Sequence, residues 1–117
     1  GSRNIISRLK RAYIKRAAQV DIVNKHIAKC TYPVIVCGDF NDTPLSYSYK
    51  SIIKSKKLKD SYIEAGNGFS QTYAGTAFPS FRIDYILHSS VFKTLNYSRD
   101  KIYFSDHYPV RVEILPK

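Results

Sequence analysis

The sequence runs to 117 residues and 13.4 kDa, room for one domain or part of one, and it can bury about two-thirds of its extended surface in a modest core. Apolar residues at 44% beside 24% charged residues exclude a disordered chain. No run approaches the roughly 18 apolar residues of a membrane-spanning helix. Nineteen Lys and Arg against nine Asp and Glu leave +10. That charge suits polyanionic partners such as nucleic acid, phosphoinositides or an acidic membrane surface, and equally a well-solvated outer face.

Gly1-Ser2 reads as a protease-cleavage scar. From residue 3 to 29 the pattern predicts one amphipathic helix. Ile5, Leu9, Tyr13, Ala17, Val20, Val23 and Ile27 recur at spacings of three and four as its apolar face. The opposite face carries Arg3, Arg8, Lys10, Arg11, Lys15, Arg16 and Lys25, read as the solvated side of a helix packed on a sheet rather than a phosphate-tracking stripe. Val34-Ile-Val-Cys37 is a continuous apolar run, expected as a strand buried on both faces and closed by Gly38. Cys37 is then a small buried thiol, and it forms neither a zinc spacing nor a disulfide pattern with Cys30.

Thr43-Pro44 supplies an N-cap and a first-turn proline for a helix to about Lys54. Residues 54–59 read as a basic surface segment, and Gly66-Asn67-Gly68 as a turn. Ser70–Tyr73, Phe81–Leu87, Val91–Tyr97 and Val110–Leu115 read as strands. There are no repeats. The order of elements predicts an α/β (α+β) fold in which helices pack on a mixed sheet.

Three compact polar motifs stand out among the few acids. In Gly38-Asp39-Phe40-Asn41-Asp42, alternation puts Asp39 and Asn41 on one side of a strand end, where a carboxylate and an amide can hold a water and a phosphate oxygen together. An Asx turn capping the next helix is the plainer reading, and Asp42 or Thr43 suffices for it. In Arg82-Ile83-Asp84-Tyr85-Ile86-Leu87, Asp84 interrupts an apolar strand and needs a partner, either Arg82 or a histidine. In Ser105-Asp106-His107-Tyr108-Pro109, a histidine beside an acid suits phosphate and proton chemistry near neutral pH. His26 and His88 stand alone and read as ordinary surface residues.

In this order the three motifs resemble the C-terminal motifs of the endonuclease/exonuclease/phosphatase family, which has the deoxyribonuclease I-like fold. Arg16-Ala-Ala-Gln19 is similar to the family's helix before the Gly-Asp-Phe-Asn strand. The resemblance covers about Arg8 to Leu115, so residues 1–117 read as the C-terminal portion of such a domain. It implies half of a four-layered α/β/β/α sandwich, with helices on one face of the sheet. It implies a hydrolase of phosphodiesters or phosphomonoesters using Mg²⁺ or Mn²⁺.

By similarity, Asp39 positions or deprotonates the attacking water and Asn41 holds the scissile phosphate. His107 stabilises the transition state with Asp84 orienting its ring, and Asp106, with Asp39, stands near the metal. The family's N-terminal half, with an Asn and the principal metal-ligating Glu, has no counterpart here. Glu64 and Glu113 do not match that context. The implied partners are a phosphate-ester substrate, slightly favouring nucleic acid on charge, and either the other half of the domain or a second copy. The alternatives are a lipid or inositol-phosphate phosphatase, and a non-catalytic basic module that binds nucleic acid.

Overall fold

A computed structural model describes residues 2–39, 47–66, 82, 84–100 and 107–117. The elements in chain order are α1 (Ser2–Lys29), β1 (Ile35–Asp39), α2 (Tyr47–Ser55), β2 (Lys59–Asp60), α3 (Ser61–Ala65), β3 (Asp84–His88), β4 (Phe92–Arg99) and β5 (Val110–Pro116). The expected strand at Ser70–Tyr73, the Thr43-Pro44 helix start and the side chains of Arg3 and Tyr13 lie outside the described residues.

The α+β class is as expected, with α1 and α2 on one face. The strands expected at 34–37, 81–87, 91–97 and 110–115 do not form a single sheet among the described residues. β1 and β3 take in the two-residue β2 to make a three-stranded sheet ordered β1-β3-β2, while β4 and β5 form a two-stranded ribbon, each ladder antiparallel. The core forms where Val20 and Ile27 of α1, and Tyr49, Ile52 and Ile53 of α2, meet Val34, Val36, Leu58, Tyr85 and Leu87. Burying such a Leu or Ile side chain contributes about 1.5–3 kcal/mol each. Lys56 donates to the Cys30 carbonyl and ties the end of α2 to the end of α1.

Several expectations need correction. β1 is not buried on both faces. Val36 packs on the core, but Ile35 is 52% exposed and Cys37 is exposed, because α1 and α2 cover only the Val36 side. The apolar stripe of α1 is buried only towards its C-terminus: Ile27 is 4% exposed whereas Ile5 and Leu9 are 60% and 65% exposed. Arg16 is not on the solvated side either, since it lines the cleft between α1 and β1 beside Val20 and Val23. The basic 54–59 segment is the end of α2, a turn and β2, and Leu58 at 3% exposure is part of the core.

His88 is not a surface residue. It is fully buried where α3 and β4 close over β3. Its Nδ1 lies 2.8 Å from the Ser89 carbonyl, and its Nε2 lies 2.5 Å from Glu64 and 3.0 Å from the Thr94 hydroxyl. Burial alone would raise the Glu64 carboxyl, but the bonds from His88 and Thr94 outweigh it and hold Glu64 below the usual glutamate value.

Candidate active site

The antiparallel register places Asp39 of β1 directly opposite Asp84 of β3. Residues directly opposite share a face, so the two carboxylates stand side by side on the face away from α1 and α2. Like charges so placed repel one another unless a positive or hydrogen-donating group joins them. His107 is that group. Its Nδ1 lies 2.7 Å from Asp84 Oδ2, and its Nε2 lies 3.5 Å from Asp39 Oδ2.

The Nδ1–H donates to Asp84, which leaves Nε2 directed at the space beside Asp39. Side-chain exposures of 20% for Asp84, 29% for His107 and 36% for Asp39 keep the trio reachable but held in place. One candidate ligand atom from each residue falls within 4.8 Å of the others, so the trio could hold a cation.

Two concavities flank the end of β1. A pocket of about 330 Å³ on the open face is lined by Cys37, Asp39, Asp84, Ile86, Tyr108 and Pro109. A second, of about 280 Å³, lies between α1 and β1 and is lined by Arg16, Gln19, Val20, Ser48 and again Asp39. Gly38 lies between them, and a Cβ built there would meet nothing within 4 Å.

Asp39, Asp84 and His107, separated by up to 68 positions in the chain, are thus brought together. Asn41 and Asp106 lie outside the described residues. Of the two partners open to Asp84, the histidine is the one observed. Arg82 pairs instead with Asp60, at 2.8 Å. One further neighbour of the site is not singled out by the sequence. Tyr108, 9% exposed beneath the Arg99 guanidinium, had as its only signal its place between the Asp-His pair and a proline. Asp60, which pairs with Arg82, stands 22 positions away in the chain and carries no signal in the sequence.

The sequence profile of the Endonuclease/Exonuclease/phosphatase family matches residues 7–107. No curated protein matches this sequence. Among solved structures, a mannosyl-6-phosphatase of Bacteroides thetaiotaomicron is similar, with a TM-score of 0.68 and 26% identity over 86% of this chain and 45% of that one. Another structure from that organism, described as an endonuclease/exonuclease/phosphatase family protein, gives 0.63 and 27% over 85% and 44%. An endonuclease/exonuclease/phosphatase from Bacteroides vulgatus gives 0.74 at 23% identity over 87% and 44%, a likeness of fold. The chain therefore spans less than half the length of each of these structures.

Proposed function

Because the chain belongs to the endonuclease/exonuclease/phosphatase family, we propose that it is the C-terminal portion of a metal-dependent phosphoesterase and carries half of the active site. One observation supports this reading above the others: Asp39 and Asp84 face each other at paired strand ends with His107 between them. A structural ion pair would need one acid, not two acids around one partly exposed imidazole.

The residues have the following roles. Asp84 accepts from Nδ1–H and fixes the His107 ring, so that in the doubly protonated ring Nε2–H donates to a phosphate oxygen bound beside Asp39. Asp39 positions the attacking water and draws its proton. Asn41 supplies an amide donor to the phosphate, and Asp106 supports the cation. The Asp39 carboxylate, together with Asp106, suits Mg²⁺ or Mn²⁺, hard ions that favour oxygen ligands, and would leave coordination positions for water and substrate. When bound, such a cation neutralises the charge that grows on the phosphate during in-line displacement. The principal Glu ligand comes from the other half of the sandwich.

The +10 charge favours a nucleic-acid diester as substrate. A second reading, hydrolysis of a sugar or inositol phosphomonoester, is favoured by the similarity to a mannosyl-6-phosphatase. Cleavage of duplex DNA, bis(p-nitrophenyl) phosphate and p-nitrophenyl phosphate by the complete two-half protein separates the two readings. Asp39→Ala and His107→Ala should each lower kcat at least about 100-fold, as expected for a lost general base or positioned donor. Wild-type kcat in both variants would refute the assignment. The 117-residue chain alone, lacking the main Glu, should show no Mg²⁺-dependent turnover, and turnover that Asp39→Ala removes would contradict the half-site reading.

A further inference from the structure

Beneath the site, on the face of the sheet covered by the helices, sits a charged cluster that the proposed chemistry does not use. Asp60, opposite Leu87 in the β2–β3 ladder, receives three donors. Tyr49 Oη and Arg82 Nη1 bond its Oδ2 at 2.7 and 2.8 Å, and the Tyr62 amide bonds its Oδ1 at 2.9 Å. The Arg82 guanidinium lies 4.4 Å from the Tyr62 ring centroid and 4.8 Å from that of Tyr85. Tyr85 Oη in turn donates to the Arg82 carbonyl at 2.8 Å. The side chains of Arg82 and Asp60 are 9% and 1% exposed, so substrate cannot reach either one.

We propose that Arg82 is a positioning residue for Asp84: the Arg82–Asp60 ion pair and the Tyr85 hydroxyl clamp the start of β3, and so place the carboxylate that orients His107. The proposal rests on the reading of Asp84 and His107 as an active-site pair. A buried ion pair is a poor source of net stability, since well-packed apolar residues of equal volume serve as well or better. It does fix geometry. Asp60 anchors β2 and caps α3, Tyr49 adds α2, and Arg82 lies two residues before Asp84. An orienting carboxylate must be held to within about 0.5 Å, and the first residue of a strand frays unless the segment before it is tied down. Here that segment is bonded through both its side chain and its carbonyl.

The test is the tautomer of His107, read by ¹⁵N NMR of the ring in the 117-residue chain at a pH above the ordinary imidazole range. The wild type should show the Nδ1–H form imposed by Asp84. Asp84→Ala should release the ring to Nε2–H, and an unchanged ring there would refute the Asp84–His107 pair and this proposal with it. Given that release, Tyr85→Phe, which deletes one buried oxygen, and Arg82→Lys, which keeps the charge but loses the fork and the stacking, should each bring loss of the Nδ1–H form. If both variants stay folded with lower melting temperatures and an unaltered His107 tautomer, the cluster is only structural and the proposal fails. Should Arg82→Lys not fold, Tyr85→Phe decides alone.

Discussion

His107 and His88 each lean on a carboxylate, at 2.7 Å from Asp84 and 2.5 Å from Glu64, but their surroundings separate their roles. The first sits at a partly exposed strand end beside a second acid, while the second is sealed between α3, β3 and β4 with acceptors at both ring nitrogens. Glu64 therefore acts in stability. Its carboxyl titrates below the usual value when folded, so its stabilising bonds are fully present above the unfolded glutamate value and are lost as pH falls through the depressed one. Glu64→Gln should cost about 1–2 kcal/mol at neutral pH, the worth of a charge-assisted bond. In urea unfolding, the gap between wild type and variant should close on acidification, and a gap that stays constant with pH would contradict this. Asp84 and His107 were legible in the sequence because each stands in a short polar motif flanked by apolar strand residues. His88 was not, because its burial is made by residues 61–64 and by Thr94, which no local pattern links to it.

Long, strongly periodic elements emerged from pattern alone, and short ones did not. The helix expected over 3–29 is α1, Ser2–Lys29, because seven apolar positions at spacings of three and four leave little ambiguity. β2 has two residues and α3 five, too few for any periodicity, and α3 exists because Asp60 caps it by accepting from the Tyr62 amide. The end of α2 is similarly local. Leu58 N–H reaches back to the Ile53 carbonyl at 3.0 Å, and Lys57 between them adopts φ 50°, the left-handed conformation of a Schellman close. A side chain with a Cβ pays about 1 kcal/mol there, a penalty that glycine avoids. Lys57→Gly should therefore stabilise the fold by about 0.5–1 kcal/mol, read as a higher urea midpoint at unchanged slope. An equal or lower midpoint would show that the left-handed turn is not populated in solution.

At the scale of the whole molecule, the exposed apolar surface follows from having one half of a sandwich. Ile35 and Cys37 on the uncovered face of β1, together with Val91, Leu95 and Leu115 on or beside the β4-β5 ribbon, are exposed, three of them by 49% or more. Similar solved structures are more than twice the length that this chain covers. A monomer rarely leaves more than a few hundred Å² of contiguous apolar surface open to water. The chain in isolation should therefore self-associate, and the other half of the domain, added in trans, should compete with that association.

Sedimentation velocity from about 1 to 100 μM covers interfaces with a Kd near 10 μM. The sign of the salt effect identifies the surface. Two copies at +10 repel each other, so salt that screens this repulsion should strengthen association through apolar faces, whereas contacts made by the basic helix to acidic patches would weaken. Ile35→Ser, which removes one exposed aliphatic side chain from the open face, should weaken self-association about 10-fold. A compact monomer at every concentration and salt would mean that the sheet needs no second layer, and the half-sandwich account of this chain would then be wrong.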